Sequence, residues 1–367
     1  MVKEKSRFDY LMLMVVLALV GFGIVMVYST SAILAGDRFQ DPYYFLRRQA
    51  LYAGIGFLFM VLMMFVPCEA LKRFAYPILI ASILSLIAVL IPGIGVRAGG
   101  SMRWLRIASF TIQPSEVAKL GLVIFLAYFL TKKEEKIRSF SFGFLPTLVL
   151  SGLVIVLILR EPDFGTALFL TAMVFLLLFV GGTRVVYLIG AVLLAIPAAY
   201  AFLMNAAYRQ KRWMSFIRPW DDPGGTSFQI IQSFLSFGSG GLFGLGLGEG
   251  RQKLFFLPAP HTDFIFSIIG EELGLVGAML VVLLFMVFAL RGIHIGLSLE
   301  DRFGSYLALG ITFMISLQAV INMGVVLGLL PTKGLTLPFI SYGGTSLVTN
   351  LTGAGILLQL STRVGRR

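Results

Sequence analysis

Ten apolar segments, most of them about as long as a lipid bilayer is thick, constrain this sequence more than any other feature. A transmembrane α-helix needs about 20 predominantly apolar residues, and the chain of 367 residues is 58% apolar or aromatic and only 13% charged. The pattern predicts an all-α polytopic membrane protein with about ten transmembrane helices in a single domain, 1–367, and excludes a soluble globule. The segments lie at 10–29, 48–66, 75–92, 114–131, 144–160, 165–182, 185–204, 265–290, 303–329 and 343–361.

Basic residues are distributed unevenly between the two sides that these helices define. With the N-terminus inside, fifteen of the thirty Lys and Arg fall in inner loops and termini, and eight fall in short outer loops. Because Lys and Arg are enriched in cytoplasmic loops, we expect both termini to be cytoplasmic. The net charge of +12 indicates anionic lipid headgroups or phosphate ligands rather than nucleic acid in a membrane protein. The single cysteine, Cys68, excludes an internal disulfide.

One outer loop, 205–264 between the seventh and eighth segments, is too long to be a simple connection. We expect a helix at 226–237, followed by the glycine-rich segment 238–248. That segment is rich in Gly, Phe and Leu, which predicts re-entrant or interfacial backbone at the membrane surface. It lacks the Lys-Ser/Thr that ends a phosphate-binding P-loop, so a nucleotide site is excluded.

Ionisable residues inside membrane segments are costly, which makes each of them a candidate functional residue. Glu116 and Lys119 are three residues apart at the start of the fourth segment and therefore share one helix face. They either form an ion pair or line a substrate pocket, and spacing alone leaves both open. Glu271 and Glu272 lie deeper in the eighth segment, where we expect them to hold the helix bundle together.

Asp263 stands at the outer end of the eighth segment. At helical spacing it shares a stripe of small or polar residues with Ser267, Gly270 and Gly274, and this stripe could face a cavity. Asp263 is either an N-cap of the helix or a catalytic carboxylate. His261 by itself is weak evidence for a metal site, because no second histidine stands at ligand spacing.

The outer side as a whole is suited to an anionic lipid. It combines guanidinium groups that can bind phosphate oxygens, one carboxylate at the membrane surface and amphipathic backbone. A lipid that carries a sugar on a diphosphate fits this combination. The outer loop 331–346 contains Lys333 and Ser341, and its Pro and Gly content is equally compatible with simple chain reversal.

Several motifs, in this order and with ten apolar segments between them, make the whole chain resemble the SEDS family (shape, elongation, division and sporulation). They are Arg103-Trp104-Leu105, Ile112-Gln113-Pro114-Ser115-Glu116, Glu161-Pro162-Asp163-Phe164-Gly165-Thr166, Gln232-Ser233 with Gly238-Ser239-Gly240-Gly241-Leu242-Phe243-Gly244, His261-Thr262-Asp263-Phe264-Ile265-Phe266 with Gly270-Glu271-Glu272-Leu273-Gly274, and Ser341-Tyr342-Gly343-Gly344. Within the family, 330–335 with its Lys333 resembles the division branch more than the elongation branch. The sporulation branch is harder to separate.

The resemblance implies an inverting peptidoglycan glycosyltransferase that polymerises lipid II at the outer face of the cytoplasmic membrane, at the division septum. It also implies a class B penicillin-binding protein and other divisome proteins as partners. The family's essential aspartate falls on Asp263, which would remove the proton of the acceptor 4-hydroxyl group. Arginines, or a divalent cation such as Mg²⁺ or Mn²⁺, would stabilise the departing diphosphate, and no organic cofactor is expected.

The substrate-binding residues that the resemblance suggests are Arg103, Arg106, Glu116, Lys119, Arg212, Arg218, His261, Lys333 and Ser341. One departure concerns the segment before His261, where the family usually has a glutamate and this chain has Pro258-Ala259-Pro260. Any role of that glutamate in holding a metal is therefore in doubt, and Glu249 or Glu271 could replace it. Two other functions stay open, a lipid II transporter and a scaffold for the cross-linking enzyme.

Overall fold

The structure, a computed structural model, describes residues 8–98, 101–107, 110–204, 207–225, 227–254, 257–332 and 334–364. Within these ranges the chain forms thirteen α-helices and three short β-strands. In chain order they are α1 (Tyr10–Phe39), α2 (Tyr44–Phe65), α3 (Cys68–Arg73), α4 (Ala75–Leu90), β1 (Gly95–Ala98), β2 (Ser101–Ile107), β3 (Phe110–Ile112), α5 (Pro114–Lys132), α6 (Leu145–Arg160), α7 (Phe164–Val180), α8 (Val185–Met204), α9 (Ala207–Ile217), α10 (Phe228–Gly240), α11 (Ile265–Ser298), α12 (Arg302–Val326) and α13 (Gly344–Ser361).

Each of the ten predicted apolar segments lies in one of these helices, namely α1, α2, α4–α8 and α11–α13. Among the described residues, six helical stretches are long and apolar enough to cross a membrane, and α4, α7 and part of α8 are shorter apolar helices. The chain is therefore a multi-pass membrane protein. The total of ten crossings, the orientation of the termini and the single domain 1–367 stay predictions.

Helices α5, α12 and α13 form the centre of the bundle. In the most apolar stretches of α5 and α12, 83% and 72% of the residues are buried, against 22% in α2, and nearly all residues of α13 are buried as well. Helix α12 packs on α5 and α11, and α13 packs on α2. Many apolar side chains on α8 are exposed, as expected for a helix that faces lipid.

A small antiparallel sheet, β1-β2-β3, packs on α4 and α5 between the end of the first helix and the start of the second, where the sequence predicted only a loop. Leu105 of β2 pairs with Gly95 of β1 and with Ile112 of β3. The strands are too short and too close together to give a clear alternation of apolar and polar residues. The sheet matters because β2 carries Arg103 and Arg106, and because β3 leads directly into α5.

The long segment between α8 and α11 contains two helices. The helix predicted at 226–237 is confirmed as α10, whereas α9 was not predicted, because its sequence is polar on average despite a marked apolar face. Helix α11 is broken at Gly274, which has non-helical angles of φ 66° and ψ −163°. The chain after α10 folds against this break.

Cys68 begins α3, the short helix between α2 and α4. Its side chain is buried, and burial raises the pKa of the thiol to about 12.

Helix α1 touches the 331–343 loop at Gly23. A Cβ atom at this position would lie 2.7 Å from the Cα of Ile340 and 2.7 Å from the carbonyl oxygen of Phe339, whereas a Cβ atom at Gly21 would meet nothing within 4 Å. We expect Gly23→Ala to lower the free energy of unfolding by about 1–3 kcal/mol, because backbone must move to admit the methyl group. Gly21→Ala is the matched control. Thermal unfolding in detergent measures both, and equal midpoints would contradict the contact.

Candidate active site

Asp263 lies at the N-terminal end of α11, one residue before the N-cap. The N-cap residue is Phe264, and its side chain makes no capping hydrogen bond. The interpretation of Asp263 as the N-cap is therefore wrong. The side chain of Asp263 is partly exposed, so the carboxylate is accessible at the end of a helix whose first turns are buried.

Asn322 of α12 fixes the backbone around this carboxylate. Its Nδ2 donates to the carbonyl oxygen of Asp263 at 2.8 Å and to that of Leu335 at 2.6 Å. A Cβ atom built on Gly334 would lie 3.4 Å from Oδ2 of Asp263. The 331–343 loop therefore passes directly beside the carboxylate, and one buried amide joins the two segments. Asn322 was not predicted from the sequence, because a single polar residue in an apolar helix gives no indication of what it contacts.

Ser341 ties the same two segments together from the other side. Its Oγ donates to the carbonyl oxygen of Thr262 at 2.6 Å and accepts the N–H of Leu337 at 2.9 Å. The N–H of Tyr342 donates to the carbonyl oxygen of His261 at 2.8 Å. Because the Ser341 hydroxyl already donates and accepts within the protein, its geometry supports a role in shaping the loop.

His261 is buried between two aromatic rings. Its ring centroid lies 4.5 Å from that of Phe45 and 5.5 Å from that of Tyr342. Burial, helped by the positive charge of Arg38, lowers the pKa of His261 to about 4. The imidazole is therefore neutral at physiological pH and supplies an aromatic surface next to Asp263 without a charge.

Glu116 and Lys119 form a buried ion pair, with Lys119 Nζ 2.8 Å from Glu116 Oε2. Lys119 Nζ also donates to Oε1 of Gln318 at 2.7 Å, and Gln318 Nε2 donates to the carbonyl oxygen of Thr336 at 2.9 Å. The ion-pair interpretation is confirmed. The pair is connected through α12 to the 331–343 loop, and so to the surroundings of Asp263, while a direct contact with substrate stays a prediction.

Arg103 is largely occupied within the protein. Its Nε donates to the carbonyl oxygen of Glu161 at 3.2 Å and its Nη2 to that of Pro162 at 2.6 Å, and Nη1 lies 3.8 Å from Oδ2 of Asp163. The side chain is 26% exposed. Its first role is to clamp the turn between α6 and α7, which leaves only part of the guanidinium group for a phosphate.

Of the remaining basic candidates, two are exposed and two lie outside the described part of the structure. Arg106 is exposed on β2. Arg218 is exposed and lies 3.9 Å from Asp221. Arg212 belongs to α9, but its side chain lies outside the described part of the structure, as does the whole of Lys333.

Glu161 is an unexpected feature of the turn that Arg103 clamps. Its side chain is fully buried, and among the described residues neither carboxyl oxygen has a hydrogen-bond partner. Burial and the neighbouring Asp163, opposed by Arg103, raise the pKa of Glu161 to about 8. The sequence contains this residue in one of the family motifs, but its burial depends on how the turn packs under β2.

The polar stripe on α11 does not face a cavity along its length. A Cβ atom at Gly270 would meet the ring of Phe237 on α10, and one at Gly274 would meet the backbone of Gly244 and Leu242. The prediction of a cavity is therefore wrong for these two glycines, which instead allow the glycine-rich segment to approach. Glu271 and Glu272 hold the bundle together as predicted, because their carboxylates bind residues 251–253 and Ser29 of α1.

The described residues contain no group of three or more His, Cys, Asp or Glu side chains that could hold a metal ion. Ala259, in the segment where the family has a glutamate, is exposed. The carboxylate of Glu271 accepts the N–H of Arg251 at 2.7 Å and that of Gln252 at 3.2 Å, so it is occupied with holding backbone. The protein side chains seen here do not by themselves make a metal site.

Comparison with known proteins covers nearly the whole chain. The family model for FtsW, RodA and SpoVE, described as "Cell cycle protein", matches residues 9–365. A protein of Geobacter metallireducens named "Probable peptidoglycan glycosyltransferase FtsW" is 48% identical over 362 residues, which are 99% of this chain and 96% of that protein. The stage V sporulation protein E of Bacillus subtilis is 43% identical over 361 residues, which cover 98% and 99% of the two chains.

Two solved structures match the chain over nearly its whole length. A chain from the work titled "Structural coordination of polymerization and crosslinking by a peptidoglycan synthase complex" matches with a TM-score of 0.81 at 31% identity, over 98% of this chain and 99% of that one. The rod shape determining protein RodA of Thermus thermophilus matches with a TM-score of 0.72 at 30% identity, over 98% of both chains.

The buried carboxyl group of Glu161 predicts a pH-dependent stability. In the folded protein it holds its proton up to about pH 8, whereas in the unfolded chain it ionises near pH 4.5. The folded state therefore binds more protons than the unfolded state between these values, and its stability falls as the pH rises from about 5 to 8. We expect Glu161→Gln to remove this fall, so that its unfolding midpoint exceeds that of the wild type increasingly toward pH 8. Glu300→Gln, at an exposed glutamate, is the control, and parallel wild-type and Glu161→Gln curves would contradict the burial.

Proposed function

The chain belongs to the cell cycle protein family of FtsW, RodA and SpoVE, and on that premise we propose that it is a peptidoglycan glycosyltransferase. It polymerises lipid II into β-1,4 glycan strands at the outer face of the cytoplasmic membrane. The observation that carries the proposal is the accessible carboxylate of Asp263, held at the end of α11 beside the 331–343 loop. The names of relatives at 48% and 47% identity support the same activity.

The reaction needs one base and a stabilised leaving group. The carboxylate of Asp263 accepts the proton of the acceptor 4-hydroxyl group as that oxygen attacks the anomeric carbon of the donor. The bond from that carbon to the diphosphate oxygen breaks, and the lipid diphosphate leaves with the bonding electrons. Attack from the face opposite the α-linked diphosphate gives a β-linkage. A glycosidase needs two carboxyl groups, whereas a diphosphate leaving group needs no acid if cations neutralise its charge.

Arginines of the outer surface are suited to that neutralisation. Arg106 is exposed on β2. Arg103 lies three residues earlier on the same strand, and its side chain is partly exposed. A guanidinium group can donate two parallel N–H bonds to the oxygens of one phosphate. Arg212, Arg218 and Lys333 belong to the same proposal on sequence grounds. A divalent cation, Mg²⁺ or Mn²⁺, is a further candidate for neutralising the charge of the diphosphate.

The cellular role follows the division branch. Relatives with the division-type name are up to 48% identical to the chain, against 43% for the sporulation protein, and 330–335 resembles the division branch. The protein therefore acts at the septum, with both termini in the cytoplasm. One similar chain comes from work on the coordination of polymerization and crosslinking by a peptidoglycan synthase complex. This similarity supports a cross-linking partner, a class B penicillin-binding protein, together with other divisome proteins.

The central test replaces the proposed base. We expect Asp263→Asn to lower the rate of glycan formation from lipid II by a factor of about 100 or more, because a general base contributes roughly 10²–10⁴. The purified chain is assayed with its cross-linking partner, with and without a metal chelator, and glycan strands are separated on a gel. Asp41→Asn, at a partly exposed aspartate that pairs with Arg47, should behave as the wild type.

Three outcomes of this assay are distinct. Equal polymer from the wild type and from Asp263→Asn would contradict the catalytic role of Asp263. No polymer from either, together with movement of lipid II across vesicles, would favour the transporter. Unchanged activity with the chelator would remove the cation from the proposal.

Asn322 supplies a second test, because its amide holds both the backbone of Asp263 and that of Leu335. We expect Asn322→Ala to lower kcat by about tenfold, since small displacements of a catalytic group are costly. Thr312→Val is the control on the same helix, because the Thr312 hydroxyl donates only to the carbonyl oxygen of Ala308. Wild-type kcat in Asn322→Ala would show that the 331–343 loop holds Asp263 without this amide.

A further inference from the structure

Helix α11 is interrupted at Gly274, about nine residues after its start, inside the apolar part of the chain. Gly274 has φ 66° and ψ −163°, a conformation essentially restricted to glycine. An interruption of this kind removes helical hydrogen bonds on both sides of the break. Unpaired backbone groups in the hydrocarbon region of a bilayer cost several kcal/mol each, so other parts of the protein must satisfy them.

The glycine-rich segment 238–248 supplies the missing partners from its own backbone. It donates to two carbonyl groups just before the break and accepts from two N–H groups just after it. The four hydrogen bonds are Leu245 N–H to Glu271 O (3.0 Å), Gly246 N–H to Glu272 O (3.0 Å), Leu275 N–H to Gly241 O (2.9 Å) and Val276 N–H to Leu242 O (3.1 Å). The two halves of α11 are therefore joined through a second chain segment.

The glycines of this segment permit the close approach. A Cβ atom at Gly244 would collide with the carbonyl oxygen of Glu272, and one at Gly240 would collide with that of Gly270. Gly244 also has a positive φ of 82°. By contrast, a Cβ atom at Gly238 would meet nothing within 4 Å, so not every glycine of the segment is required.

A buried ion pair lies beside the break and reaches a third element. Lys253 Nζ lies 2.7 Å from Oε1 of Glu272, and Oγ of Ser29 on α1 donates to the same carboxylate at 2.7–2.8 Å. Lys253 Nζ also lies 3.3 Å from Oγ of Ser29. The side chains of Glu272 and Lys253 are 0% and 4% exposed. The chain that follows the glycine-rich segment, the part of α11 before the break and α1 therefore meet at the carboxylate of Glu272.

We propose that Lys253, Glu272 and Ser29 are positioning residues for Asp263, a role that rests on the proposed function. They hold the outer half of α11, residues 265–273, at a fixed angle to α1. A buried ion pair adds little net stability compared with apolar residues of similar volume, but it defines the geometry of the elements that it joins. In this protein the ion pair holds residues 265–273 of α11, and Asp263 lies at the far end of this half-helix, away from the break.

A small change of angle at the break is enough to move Asp263 appreciably. The outer half of α11 spans roughly 13 Å, so a tilt of about 5° at the break displaces its far end by about 1 Å. A displacement of 1 Å can lower the rate by as much as about 100-fold. Asn322 holds the far end of the half-helix, at Asp263, and the ion pair fixes the end next to the break.

The test removes the charges and keeps the volume. We expect the double variant Lys253→Met with Glu272→Met to fold with an unchanged or higher unfolding midpoint, and to lose about tenfold in kcat with KM for lipid II changed by less than about twofold. The matched control is Asp9→Asn with Arg291→Met, which removes an ion pair between α11 and the start of α1 on the other side of the break. The control should retain wild-type kcat.

A milder pair of variants keeps the proposal testable if the double variant fails to fold. Ser29→Ala removes only the α1 contact and should lower kcat by about threefold, whereas Ser31→Ala removes a hydroxyl that bonds within α1 to Val27 and should have no effect. Lys253→Arg, which keeps the ion pair, should stay close to the wild type.

The results separate this role from the proposed function. Polymer from the wild type, with wild-type kcat in Ser29→Ala and in the double variant, would overturn the positioning role alone. Equal losses in kcat and in lipid II binding would also overturn it, because they would indicate general damage to the structure. If the wild type makes no polymer, the proposed function fails, and the positioning role fails with it.

Discussion

Every peptide group inside a bilayer needs a hydrogen-bond partner from the protein, and the arrangement around α11 depends on this constraint. The helix is interrupted at Gly274, and the glycine-rich segment bonds to the exposed backbone on both sides. This requirement fixes the path of the chain after α10, brings Lys253 to Glu272 and determines where the outer half of α11 lies. The glycine content that resembled a nucleotide-binding loop is explained by close approach between two backbones.

The surroundings of Asp263 are built largely from side chains that hold backbone. Asn322 and Ser341 bond to carbonyl groups on the two segments that meet there, and Gln318 connects the buried Lys119 to the 331–343 loop. Lys119, Gln318, Asn322 and Ser341 therefore all support the loop that passes beside the Asp263 carboxylate. Such a support reduces the reorganisation that accompanies proton transfer, which is the main way in which a protein environment favours charge changes in a reaction.

The sequence was sufficient for the features that depend on apolar periodicity and on motif order. The ten apolar segments, α10 and the Glu116–Lys119 ion pair are all found where they were predicted. The sheet was missed because its strands are short, and the commitment of Arg103 to the turn at 161–163 was missed because a backbone carbonyl group leaves no trace in a sequence. The burial of Glu161 and the two contacts of Asn322 were invisible for the same reason, since both depend on tertiary packing between distant segments.

The buried state of Cys68 has a practical consequence for mapping this protein in a membrane. It is the only cysteine of the chain, and its thiol stays protonated and inaccessible, so maleimide reagents, which need a thiolate, should react with it slowly. Single cysteines can therefore be introduced at exposed positions of the native sequence without first removing Cys68. Labelling from either side of a sealed vesicle then reports directly which loops face which compartment.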